Sequence, residues 1–119
     1  MKRDWDLVRT ILQALETKEI GYLDSHEIAG CDPDAVAYHF QILSDAGLID
    51  AKTQRGMMGL EGVAIRLTWQ GHEFLDSIRA DKVWDKVKKS AWDKGLDLTF
   101  DIAAKLAGKV AKEMLGIPD

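Results

Sequence analysis

The side chains of this 119-residue chain best suited to metal or nucleophilic chemistry are His26, His39, His72 and Cys31. Metal sites draw on close, repeated spacings such as CxxC or HxxxH, and these four residues form none. Acid–base and covalent catalysis fare no better: the carboxylates are scattered over polar faces, and no Ser-His-Asp set, phosphate loop or GxSxG elbow occurs. The expectation is a chain with no metal, no cofactor and no enzymatic activity. Recognition chemistry remains. DNA base edges are read mainly by Arg, Lys, Asn and Gln, and phosphates by cations and hydroxyls. Gln41, Tyr38, Lys52 and Arg55 are the residues placed to act so, although Asp34 and Asp45 share the helix face of the first two.

Those residues need a scaffold. From Asp4 to Thr17, apolar residues at Trp5, Val8, Leu12 and Leu15, with Leu7 and Ile11 beside them, recur at helical spacing. Ile20, Tyr22 and Leu23 suggest a short strand, and Asp24-Ser25-His26-Glu27 has a capping-box pattern that predicts a helix closed after about a turn by Gly30. Asp32-Pro33 is an N-cap followed by proline at the first helical position, so a helix is predicted from there to Gly47. On it, Val36, Phe40 and Leu43 face the core, His39 packs on the shoulder, and Tyr38 and Gln41 lie opposite. Leu48-Ile49 begins a strand, Asp50 to Gly62 is glycine-rich and polar, and Val63 to Leu67 returns as an alternating strand. The tip carries Met57 and Met58 beside Arg55; such flexible thioethers suit an adaptable protein contact, unless they fold back on the domain. Thr68 caps a helix that buries Phe74, Leu75 and Ile78.

Helix, short strand, short helix, helix, hairpin, helix is the winged-helix order. The expected fold is therefore mainly α with a small β-hairpin: a winged-helix-like domain over residues 1–80, then two helices over 81–119 that pack or dimerise. The first, Asp81 to Lys94, aligns Val83, Val87 and Ala91, with Trp84 adjoining. In the second, Thr99 to Leu115, Ile102, Leu106, Val110 and Met114 belong to an apolar face over half the circumference wide, a protein-interface candidate and the basis for expecting a homodimer. Its lysines also admit contact with an anionic membrane surface.

Charge weighs against a strong grip on DNA. Residues 1–80 carry 8 Lys/Arg against 13 Asp/Glu, a net of −5, whereas residues 81–119 carry 8 against 7, a net of +1. Nonspecific affinity for DNA comes mostly from neutralising phosphates. The single cysteine fits a reducing compartment, and no apolar run reaches the roughly 18 residues of a membrane span, so a cytoplasmic protein is expected.

AVAYHFQILSDAGLI, a hairpin, and then LTWQGHEFLDSIR resembles the segment of winged-helix regulators in which a recognition helix runs into the wing and a closing helix. Nearly the whole chain, through MKRDWDLVR, AYHFQIL, LTWQGHEFLD and LTFDIAAKLA, is similar to domain-of-unknown-function family 2513. That resemblance implies a small winged-helix-type protein of bacteria and their mobile elements. Two functions follow as expectations. One is a transcription-regulator-type module that binds DNA with modest affinity. The other is a protein-interaction module that meets a host or phage factor through the acidic helix face and the Met-rich wing. A cluster of Lys18, Lys52, Arg55 and Arg66 on one side would favour DNA.

Overall fold

Capping side chains set four of the five helix starts in the computed structural model, which describes residues 1–95 and 97–116. The described chain is mainly helical, with five helices and a small three-stranded antiparallel sheet. It divides into two compact units, Met1–Glu73 and Phe74–Asp119, the division falling inside a continuous helix. Ala80, where the sequence was divided, is the N-cap of the helix that follows.

In the first unit, α1 (Trp5–Thr17) starts at Asp4, whose side chain accepts from the Asp6 and Leu7 amides, and buries Leu7, Val8, Ile11, Leu12 and Leu15. The Asp32 carboxylate accepts from the Asp34 amide to open α2 (Pro33–Asp45). This helix ends as its composition predicts. Gly47 takes φ +80, and the Gly47 and Leu48 amides donate back to the Ser44 and Leu43 carbonyls, satisfying groups that a helix end otherwise leaves open. Val36, Phe40 and Leu43 are buried, as their spacing requires.

Strands β1 (Leu23–Asp24), β2 (Ile49–Gly56) and β3 (Gly59–Leu67) order as β1-β3-β2, both pairings antiparallel. Asp50 opposes Arg66 and Ala51 opposes Ala64, leaving Ile65 as an extra bulged residue. The hairpin is longer and its tip tighter than the composition suggests. Pairing runs out to Gly56 and Gly59, so only Met57-Met58 forms the turn, with Gly59 at φ +113. The first strand is shorter than expected, with Ile20 and Tyr22 exposed.

The short helix predicted after Asp24 is absent. The capping box itself forms: the Asp24 carboxylate accepts from the His26 amide and Glu27 accepts from the Asp24 amide. No helix propagates from it; Gly30 turns to φ +78, and the span is closed by single turns from Glu27 to Asp24 and from Cys31 to Ile28. A helical nucleus fixes several residues for one hydrogen bond, and the seven residues between Asp24 and Asp32 cannot recover that cost by elongation.

Thr68 ties the next helix, α3 (Trp69–Ile78), to the turn after α2. Its hydroxyl donates to the Gly47 carbonyl and accepts from the Gly71 amide, while its amide donates to the Leu48 carbonyl. The approach is close enough that a Cβ on Gly71 would lie 2.0 Å from the Leu48 oxygen.

The second unit holds the end of α3, then α4 (Asp81–Asp93) and α5 (Phe100–Leu115). Gly95, at φ +65, closes α4, and the Thr99 hydroxyl caps α5 by accepting from the Ile102 amide. Helices α4 and α5 pack together. Val83, Trp84, Val87 and Ala91 are buried, as are Ala103, Ala107 and Val110, and the alanines let the α5 backbone come close. The Phe74 and Phe100 rings meet at a tilt of 53°, 4.8 Å between centroids. No helix among the described residues is long and apolar enough to cross a membrane.

Candidate functional site

The outward side of α2 carries Tyr38 and Gln41, one turn apart. Gln41 is exposed, while Tyr38 is half-buried with its ring edge-on to His39. His39 is 1% exposed and fully engaged. Its Nε2 accepts from the Asp4 amide at 2.8 Å, so Nδ1 carries the proton and donates to the Ala35 carbonyl at 2.7 Å. One neutral imidazole thus pins the start of α1 to α2, which explains a packed histidine on the shoulder of the core.

The cations of this unit do not gather. Lys18 pairs with Glu27 at 2.6 Å and Arg66 with Asp50 at 2.7 Å. Lys52 and Arg55 are exposed and free of ion pairs among the described residues, but they stand three apart on β2, which directs them to opposite faces of the hairpin. Lys52 lines a shallow depression of about 390 Å³ together with Asp24 and Glu61. Both acids of the Asp24-Glu27 turn are held below their ordinary values. For Asp24 the cause is chiefly the His26 amide and then its ring; for Glu27 it is chiefly the Lys18 ammonium and then the Asp24 amide.

Arg55 ends instead near the hairpin tip. Met57 and Met58 are 104% and 93% exposed there, so they do not fold back on the domain. Asp34 reaches the same tip: a Cβ on Gly59 would lie 2.5 Å from its carboxylate. Asp32, Asp34 and Pro33 of the α2 start meet Met58 and Leu60 of the hairpin around a depression of about 250 Å³. Acidic and apolar groups are thereby combined in one place, which the sequence treats as two separate features.

In the second unit, Val110 is 6% exposed and taken up by the chain's own packing. Ile102 and Leu106 are partly exposed, and Met114 and Leu115 are exposed toward the end of α5. Trp92 is exposed on α4. Among the described residues, no group of three His, Cys, Asp or Glu side chains is arranged to hold a metal ion.

A family model described as "Hypothetical protein (DUF2513)" matches residues 2–97. The chain belongs to that family. The DUF2513 match takes in α1 through α4 and stops before α5. A protein of Haemophilus influenzae, described as "Uncharacterized protein", is 42% identical to this DUF2513 member over 117 residues, 97% of this chain and 99% of the relative, so that likeness continues through α5. No solved structure matches. In this DUF2513 chain no motif marks Lys86 and Lys89 of α4 or Lys94 at its C-cap. The signal for the first two is their three-residue spacing on the flank of α4's apolar stripe.

Proposed function

We propose that this protein is a non-enzymatic, winged-helix-type binding module whose hairpin is the wing and whose ligand is another protein. The contact surface is the wing tip, Met57 and Met58, with the acidic start of α2 beside it. The observation that carries the reading is the exposure of both methionines next to Asp34, in a unit whose Lys18 and Arg66 are already paired with acids. Apolar, adaptable side chains bordered by carboxylates suit a partner with an apolar anchor flanked by cations. A transcription-regulator reading, in which Tyr38, Gln41, Lys52 and Arg55 contact DNA, has one observation in its favour. Gln41, Lys52 and Arg55 are exposed, and neither cation is in an ion pair among the described residues. Opposed strand faces and neighbouring Asp24, Asp34 and Glu61 speak for the protein ligand instead, because a phosphate backbone rewards clustered positive charge.

Two variants separate the readings. M57S/M58S abolishes capture of the partner that the wild-type chain retains from its own cells, K52E/R55E leaves it intact, and mixed-sequence duplexes are not retarded at low salt. A retardation that K52E/R55E removes and M57S/M58S preserves would assign the surface to DNA. We propose in addition that the chain is a homodimer through the apolar face of α5; light scattering of the eluting full chain tests this, and a monomeric mass would end it.

A further inference from the structure

We infer that the groove between α4 and α5 is a second binding site, independent of the wing, that takes an acidic amphipathic helix of a partner protein. The groove has a volume of about 330 Å³ and its apolar floor is the half-buried Leu106, set on the buried Val110. Lys86 and Lys89 of α4, Lys94 at its C-cap and Lys109 of α5 line it, and none of the four is in an ion pair among the described residues. Four unneutralised ammonium groups around an apolar floor raise the local potential and complement carboxylates that flank an apolar stripe, the pattern of a helix lying in a groove.

The occupant's chemistry follows from what else borders the groove. Asp93 and Glu113 interrupt the lysines. A uniform polyanion such as a nucleic acid backbone would face both carboxylates, whereas a helix can present an acid at each lysine and a polar or basic residue at each carboxylate. A bilayer is the wrong shape, because Val110 is buried and Leu106 half-buried between the helices, so neither can insert. The lysines are lone point charges without an arginine among them, suited to single carboxylates more than to bidentate phosphate contacts.

The test is fluorescence anisotropy on the full chain with a labelled helical peptide of about 16 residues, matched to the roughly 24 Å length of α5. Leu occupies its heptad a and d positions and Glu most of the rest. Saturable binding is expected, falling with salt and weakened about tenfold by K86E/K89E/K109E, as expected on removing a complementary charge set. A peptide with Lys in place of Glu, and one with Gln in place of Leu, bind at least about tenfold more weakly if charge and apolar floor both contribute. The milder K86Q/K89Q/K109Q variant is read alongside, so that the result does not depend on the folding of the charge-reversed chain. The proposal is overturned if the Glu/Leu peptide does not saturate, or if its binding ignores the lysines. It is overturned equally if mixed duplex DNA or phosphatidylglycerol vesicles bind as tightly as the peptide with the same lysine dependence.

Discussion

The two units differ in where their cations find partners. In residues 1–73 the cations beside α1 and on β3 are matched with acids, Lys18 with Glu27 and Arg66 with Asp50, and Lys52 lies near Asp24 and Glu61. In residues 74–119 Arg79 pairs with Asp76, whereas Lys86, Lys89, Lys94 and Lys109 stand around a groove without ion pairs among the described residues. Their interiors differ as well. The first unit is held by polar pins at specific places, notably His39 and Thr68, whereas the second relies on a tryptophan and small residues that bring α4 and α5 together. Net composition thus conceals the distinction that matters, which is whether each charge already has a partner.

That contrast can be broken most forcefully at the cores. Trp84→Ala, which empties a large, fully buried site on α4, is expected to cost about 3–5 kcal/mol in urea unfolding. A cost below about 1 kcal/mol would mean that the second unit does not depend on packing. Gly71→Ala forces a methyl against the Leu48 carbonyl and should lose roughly 1–3 kcal/mol, read as a lower midpoint in the same assay. His39→Phe keeps the ring volume but strands the Asp4 amide, while the Ala35 carbonyl keeps its helical bond, with an expected loss of about 1–3 kcal/mol; an unchanged midpoint would remove the first unit's polar pin.

Smaller effects sharpen the comparison. Asp24 and Glu27 both have lowered values, so what they contribute is present above the ordinary carboxylate range and lost as pH falls through their folded values. Both lie at the surface, so the expected readout is local: amide shifts of residues 24–31 move in acid ahead of global unfolding, and Lys18→Met removes most of the Glu27 part. M57S/M58S should be smallest of all for stability, within about 0.5 kcal/mol, because the tip contributes exposed surface and no core.

Much of the scaffold was legible because it is written in local hydrogen bonds. Asp32-Pro33, Gly47, Thr68 and Thr99 mark helix ends through bonds to residues one to four positions away, and such groups are adjacent in any fold. The stripe of Val36, Phe40 and Leu43 was readable for the same reason, since helical periodicity alone puts them on one side. The capping box at Asp24 shows the limit of that logic: its bonds form, yet the helix does not, because elongation depended on Gly30 and on the space left before α2.

The candidate sites lay beyond such reading. Residue types and spacing determined that this chain builds capped amphipathic helices and a hairpin, and that Met57, Met58, Lys52 and Arg55 belong to that hairpin. Tertiary structure alone decided that Lys18 and Arg66 are matched, that Asp34 reaches the hairpin tip, and that Val110 is enclosed while Leu106 floors a lysine-lined groove. The physical reason is one of range. A cap or a stripe is set by neighbours along the chain, but whether a charge is neutralised or an apolar side chain covered depends on residues that only packing brings near.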